Sequence, residues 1–501
     1  MISTSDHKIP IWEDIAHEAQ LLRDQTLAEV GPAIALPMQL SGNVTNIPEE
    51  ILSTESIRIT NLSPEKLVHL ASNGSISAQE IAQAFLERAV VAQKLTNCLT
   101  ELLTQRAISH AIELDNHLLK YSLPLGPLHG LPVSIKSHIG IAHRPLASGY
   151  CALFHSFPRP VMDALVVQII TRAGAIVHAR TTEPQSMMQL ECASNLYGVT
   201  TNPYSHILLS SGGSSGGEGA LIALRGSVLG IGSDVGGSIR VPAAACGIYG
   251  FKPTAFRVPT TGWSSTLPGA DPVVTVLGPM SVNLEGIEML MKVVAAAEPW
   301  LANFTAYKRD EGWAVVSSLY FTDGGEADIT VMSKSGEPLL PLTKWIIKEN
   351  PGVKNLSRDE LEYWLEEREE FRTEYLQHWN KTGYWNEAEG KWTNTVDAII
   401  CPVAPGVATK HNTAKYWAYT AVWNLLDYPA LAFPAGITDK TVDIKENRRK
   451  YMSGLDKDNW QLYDPEIFHQ MPTGLQIIGR KFEDEKVIAI LKFLEKNIYS
   501  S

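Results

Sequence analysis

The stretch from Ser210 to Pro253, SSGGSSGGEGALIALRGSVLGIGSDVGGSIRVPAAACGIYGFKP, carries two glycine-serine clusters, one around Ser214 and Ser215 and one ending at Ser238. In the second cluster the small residues Gly236, Gly237 and Ser238 let the backbone amides of Val235, Gly236, Gly237 and Ser238 turn inward together. Such a row of N–H groups binds a developing oxyanion. A serine whose own amide belongs to that row can attack a carbonyl carbon while the carbonyl oxygen rests on the donors, which is the geometry of acyl transfer. Ser238 is therefore the expected nucleophile. A competing reading comes from Gly213 to Gly217, which satisfies G-x-S-x-G between apolar Ile207–Leu209 and a helix-like ALIAL run. It would make Ser215 the nucleophile of an α/β-hydrolase-type esterase, served by a later acid such as Asp427 and a later base such as His469.

A serine hydroxyl is a weak nucleophile until a base takes its proton. No histidine lies in either cluster, but Lys136 ends the apolar segment Gly130–Lys136, where Val133 and Ile135 alternate with Ser134 as in a strand. Burial there would lower its pKa and leave a neutral amine, so Lys136 is a candidate base. Nucleotide-binding readings of the glycine run fail: Glu218 stands where a phosphate-binding loop needs lysine, and Gly230 and Gly232 are followed by Gly236, one residue out of register for a dinucleotide fingerprint. The histidines show no metal-ligand spacing, and His138 and His143, flanking Gly140, read as structural. Neither metal nor cofactor is expected.

The elements that must position these groups alternate. An amphipathic helix spans Trp12 to about Leu27. A capping box at Ser77 and Glu80 starts a second, with Ile81, Phe85 and Ala89 on one face. DALVVQIITRAG from Asp163 is a helix stopped by Gly174, and AIVHAR follows as a strand. VDAIICPVAP from Val396 reads as a strand, YTAVWNLLDYPALAFPAG from Tyr419 as helix, turn and strand, and the run from Pro472 as strand and closing helix. The expectation is an α/β fold with a large mixed, mostly parallel sheet covered by helices on both faces. Residues 1–60 read as an N-terminal arm with a helix, and 61–501 as one domain with a variable region at about 300–395. There a capping box at Ser357 and Glu360 opens a helix whose Leu361, Trp364, Leu365, Tyr375 and Trp379 form an apolar stripe, which reads as an ordinary surface helix or, more sharply, as part of the roof of a substrate pocket.

The 501 residues carry a net charge of −12 and are 45% hydrophobic, which suits a globular enzyme and argues against nucleic acid as a partner. Met1–Pro10 lacks a signal-peptide pattern and no run approaches the roughly 20 apolar residues of a membrane span, so a cytoplasmic protein is expected. Cys98, Cys151, Cys192, Cys246 and Cys401 are odd in number and widely spaced, as reduced thiols are.

The run GGSSGGEGALIAL…GSDVGGSIRVPAAACGIYGFKPT resembles the signature region of the amidase signature family. The resemblance extends to GLPVSIK at Lys136, LYGVTTNPY and PTGLQIIGRKFEDEKV, and covers most of residues 60–290 and 395–495. EGALIAL, PQSMMQLEC and VWNLLDYPAL are similar to fungal acetamidase-type members and more distantly to fatty acid amide hydrolase. The resemblance implies the amidase-signature fold and hydrolysis of a small-molecule amide, with a non-catalytic member or a subunit of an amidotransferase complex as the alternative within the family. It implies a Ser-Ser-Lys triad of Lys136 as base, Ser214 as bridging serine after a cis peptide and Ser238 as acylated nucleophile, with backbone donors at Val235, Gly236, Gly237 and Ser238. Met187, Gly212, Gly213 and Asp234 are expected at the substrate, and a homodimer is compatible with the chain. One departure stands out: the family often has Asp directly after the lysine, whereas this chain has Ser137 and then His138.

Overall fold

The structure, a computed structural model, describes residues 11–31, 34–40, 42–156, 159–264, 272–297, 312–387, 391–448, 450–451 and 454–498. The signal-peptide reading of Met1–Pro10, and 300–311 and 388–390 of the variable region, lie outside the described residues.

Nine strands form one sheet: β1 (Leu99–Leu102), β2 (Pro132–Lys136), β3 (Ile176–Thr181), β4 (Leu229–Asp234), β5 (Tyr249–Lys252), β6 (Val276–Ser281), β7 (Ile399–Pro402), β8 (Ala430–Ile437) and β9 (Pro472–Ile478). Their spatial order is β1-β3-β2-β4-β6-β5-β8-β9-β7. Only β2 with β3 and β2 with β4 pair in parallel; every other pairing in this sheet is antiparallel. The expected mostly parallel sheet is thus corrected to a mostly antiparallel one within an α/β fold. The reason is insertion. β4, the helix Arg240–Cys246 and β5 form a crossover whose two strands point the same way, and β6 slots between them in the opposite sense. β7, the helix Ala418–Leu425 and β8 repeat the pattern with β9 between them. Alternation in sequence sets the crossovers, but a later strand can enter each and reverse the pairing.

Because β3, β2 and β4 run together, their carboxyl ends Thr181, Lys136 and Asp234 reach one edge of the sheet, where ligands of α/β folds bind. All residues of these strands are buried, apolar Val133, Ile135 and Ile231 and the mid-strand Ser134 and His178 included, and Lys136, Thr181, Ser233 and Asp234 gather at the carboxyl ends. The helix Gly216–Ala223 is buried behind them. Its start lies so close to its neighbours that a Cβ on Gly217 would meet Thr182 N and Cys98 O at 2.5 and 2.6 Å, which requires glycine there.

Both expected capping boxes form, opening the helices Ala78–Thr96 and Arg358–Asn380. The helix Trp12–Ala28 buries Ile15 and Ala19 against Cys151, Phe154 and Leu196. In the variable region, the helix Gly312–Tyr320 buries Val315, Val316 and Leu319, and Leu361, Trp364 and Leu365 pack onto that cluster from outside. Trp379 instead packs with Trp423 and Tyr428. The stripe is therefore a second layer behind the helix that meets the cavity described below, and not itself the roof.

Candidate active site

Lys136 is wholly buried, and its Nζ lies 2.5 Å from Ser214 Oγ and 2.9 Å from Ser233 Oγ. Burial pushes its amine down to about 8, against the raising influence of Glu183, Cys192, Asp234 and Glu218. Glu218 stands behind the strand, its carboxyl accepting from Ser134 Oγ (2.5 Å) and Thr181 Oγ1 (2.8 Å), and burial pushes it up to about 8. A Cβ on Gly230 would strike this carboxyl, so glycine in β4 makes its place. Ser214 follows a cis peptide from Gly213.

Ser214, Ser233 and Ser238 line one cavity of about 110 Å³, with Met187, Tyr320 and Phe321 among its walls. Ser238 Oγ has no hydrogen-bond partner among the described residues. Larger surface grooves, of about 460 Å³ beside Trp379 and about 870 Å³ beside the Trp12–Ala28 helix, bring no such set of groups together.

The turn after β4 is held carbonyl by carbonyl. Asp234 O accepts from Asn424 Nδ2 (3.3 Å), Val235 O from Tyr320 Oη (2.8 Å), Gly236 O from Thr420 Oγ1 (2.5 Å), and Gly237 O from Val241 N (2.7 Å). In a planar trans peptide the C=O and the next N–H point in opposite directions, so each clamp aims the following amide. The N–H groups of Val235, Gly236 and Ser238 meet no acceptor among the described residues. Gly237 N–H instead donates to Asp234 Oδ1 at 2.9 Å, which reduces the expected row of four inward amides to three. Gly237 has φ +127°, and a Cβ there would meet Thr420 Oγ1 at 2.4 Å, so no other residue fits the turn.

Asp234 does not face the cavity, contrary to expectation. Its carboxylate accepts from Gly237 N, Ile239 N (3.1 Å), Asn424 Nδ2 (2.9 Å) and the Arg240 guanidinium (Nε 3.0 Å, Nη2 2.9 Å). Burial pushes this carboxyl up, but Arg240 and Asn424 outweigh it and hold it well below the usual carboxylate range. Gly212 and Gly213 also stay behind the wall: they allow backbone to pack against Pro242 and Glu191. Of the four expected substrate contacts only Met187 lines the cavity.

The Ser215 arrangement is not assembled. Ser215 Oγ is tied to Ser233, accepting from its N–H (3.2 Å) and donating to its carbonyl (3.3 Å), while Ser215 N donates to Ser238 O (3.0 Å). Asp427 pairs with Lys481 (2.7 Å) and His469 Nδ1 accepts from Lys440 N (3.2 Å). The glycines of that G-x-S-x-G serve close packing of a buried helix start, which leaves the hydroxyl no access. His138, read as structural, lines the cavity with Nδ1 2.7 Å from Glu183 Oε2, whereas His143 sits apart with its N–H on Pro160 O (2.7 Å).

Ser233, Tyr320, Thr420 and Asn424 escaped the sequence reading, since nothing local marks a partner 85 to 190 positions away. Arg240 carried a signal, six residues after an acid in a run otherwise small and apolar.

The amidase family model matches residues 80–323 and 320–488. The chain is 31% identical over 549 residues to the acetamidase of Emericella nidulans, covering 97% of this chain and 98% of that one. It is 31% identical over 551 residues to the acetamidase of Aspergillus oryzae, with the same coverage of 97% and 98%. Among solved structures, fatty acid amide hydrolase superposes with a TM-score of 0.87 at 28% identity, over 97% of this chain and 95% of that one. With fold, signature region and relatives in agreement, this chain belongs to the amidase signature family and is an amide-hydrolysing enzyme.

Proposed function

We propose that this enzyme hydrolyses a small carboxylic acid amide to the acid and ammonia or an amine, through an acyl-enzyme on Ser238 with Ser214 and Lys136 as its proton relay. The observation that carries this reading is a buried lysine amine 2.5 Å from Ser214 Oγ, at the wall of the cavity onto which Ser238 opens. With a pKa of about 8, about a tenth of the lysine is neutral at pH 7 and able to accept a proton.

Neutral Lys136 takes the Ser214 proton as Ser214 takes that of Ser238, and Ser238 Oγ bonds to the carbonyl carbon. The oxyanion rests on the amides of Val235, Gly236 and Ser238, which the clamped carbonyls of the preceding residues Asp234, Val235 and Gly237 hold in place before charge develops. The relay then runs backwards: the amine nitrogen takes a proton from Ser214 as the C–N bond breaks, and Lys136 restores it. Water, deprotonated along the same relay, attacks the ester carbon; the C–O bond to Ser238 breaks as Ser238 Oγ takes a proton back from Ser214, Lys136 restores that one, and the acid leaves. Small acyl groups suit a cavity of about 110 Å³, well under the roughly 300–1,000 Å³ of drug-sized sites, and the relatives named acetamidases favour the same reading.

Mass spectrometry after treatment with a fluorophosphonate tests the assignment. Label is expected on Ser238 and its loss in Ser238→Ala; label on Ser215 with amide turnover intact in that variant would refute it.

A further inference from the structure

Three side-chain atoms at the cavity are buried and have no hydrogen-bond partner among the described residues: His138 Nε2, Ser186 Oγ and Ser264 Oγ. Native proteins leave few such atoms, since each forfeits its hydration without replacement. Three at one small cavity point to a ligand that completes them. We infer that His138, Ser186 and Ser264 form a polar subsite for a hydroxyl carried on the acyl part of the substrate, so that this amidase is built for small hydroxy-acid amides. The inference rests on the amidase reading above.

The site is constructed from separate elements. Ile139 and Trp263 form an isolated antiparallel bridge, and Ser264 N donates to His138 O at 2.9 Å, which fixes these two residues side by side. Ser186 comes from another loop, where it and Met187 adopt φ of 64° and 56° in succession. Non-glycine residues rarely take that conformation, and they keep it mainly where function demands it.

The hydrogen-bond sense follows from Glu183. Its Oε2 accepts from the backbone N–H of His138 (3.2 Å) and faces His138 Nδ1 at 2.7 Å. A carboxylate only accepts, so Nδ1 carries the ring proton and Nε2 offers a lone pair. Burial lowers the pKa of this ring, with Lys136 and Arg180 acting the same way against Glu183, and the imidazole stays neutral. The ligand group must therefore be a donor. An ammonium would be desolvated near Lys136 and Arg180, whereas a hydroxyl brings a donor without charge and can also meet the two serines. The leaving nitrogen is engaged with Ser214 in the proposed mechanism, which puts the extra donor on the acyl side.

The test compares 2-hydroxypropanamide with propanamide, which differ by one hydroxyl. Wild type should prefer the hydroxy amide by about tenfold or more in kcat/KM, the yield of one or two neutral hydrogen bonds. Ser264→Ala and Ser186→Ala each remove one oxygen and should move that ratio toward one, as should His138→Phe. If the last fails to fold with Glu183 unpaired, the serine variants decide. Equal turnover of the two amides by wild type, or variants that lose equally on both, overturns the subsite and leaves the amidase standing. Turnover of neither amide overturns the small-amide reading; calorimetric binding of the two amides to wild type and Ser264→Ala then decides the subsite alone.

Discussion

Lys136 and Lys252 place the same side chain at the ends of two strands of one sheet. Both are buried, and burial pushes both amines down to about 8. Lys252 Nζ donates to Pro253 O at 2.9 Å, with Asp427, Asp234 and Asp484 raising its pKa and Arg240 lowering it. Among the described residues no hydroxyl chain leads away from it, and it lines none of the cavities described above. Lys136 ends on two serine hydroxyls at a cavity wall. A perturbed pKa therefore does not mark the site; what the proton can reach does.

The largest effect should separate the two lysines. Lys136→Ala should lower kcat/KM on an amide by about 10⁴-fold, and by only about 10²-fold on the ester of the same acid, because an alkoxide needs less protonation to leave. Lys252→Ala, with the relay intact, should lose about tenfold or less and affect amide and ester alike. Comparable losses in both variants, or no split between amide and ester for Lys136→Ala, would erase the distinction.

Stability should move in the opposite direction. Folded Lys136 titrates near 8 while an unfolded lysine titrates near 10.4. Between those values the unfolded chain binds a proton that the folded protein does not, so stability rises with pH there, and below about 8 the cost is present in full at about 3 kcal/mol. Lys136→Met should thus raise stability at pH 7 by up to that amount and flatten its rise between pH 8 and 10.4. Denaturant titrations across that range check both; an unchanged slope would mean that the lysine stays charged in the fold.

Tyr320→Phe should cost less. It removes the hydroxyl that holds Val235 O and so frees the Gly236 amide to turn. Loss of a whole oxyanion donor typically costs 10² to 10³ in kcat, and loosening one should cost about tenfold, with KM little changed. A rise in KM at constant kcat would instead make Tyr320 a substrate contact.

What was legible in the sequence follows the range of the signal. Ser238 and Lys136 stood out because a glycine run and an apolar strand are local patterns, whereas Ser214 was marked only by the family resemblance; the folded chain brings Lys136 and Ser214 into contact. Tyr320, Thr420 and Asn424 did not, since only packing brings them to the turn. Asp234 is expected at the substrate, but its six donors make it the fastener of the turn, a role that needed Arg240 in view. The sheet's sense was missed for the same cause: β6 and β9 enter crossovers that were read correctly one at a time.

The smallest predicted effect concerns Glu218, which gives Lys136 an acidic neighbour whose own pKa is also raised to about 8. Because both groups titrate in one range, the rise of kcat/KM with pH belongs to the pair. Where Glu218 is ionised its charge favours the protonated amine; where it is protonated that help is gone. Glu218→Gln removes the charge at every pH and keeps an acceptor for Ser134 and Thr181. The neutral amine should then form at lower pH, and the rising limb, expected near 8 in wild type, should shift to the acid side by less than about one unit with the plateau preserved. A shift toward alkali would show that the carboxyl holds the lysine in place and does not tune it. No shift would mean that Glu218 is already protonated throughout, and that desolvation against Glu183, Cys192 and Asp234 sets Lys136.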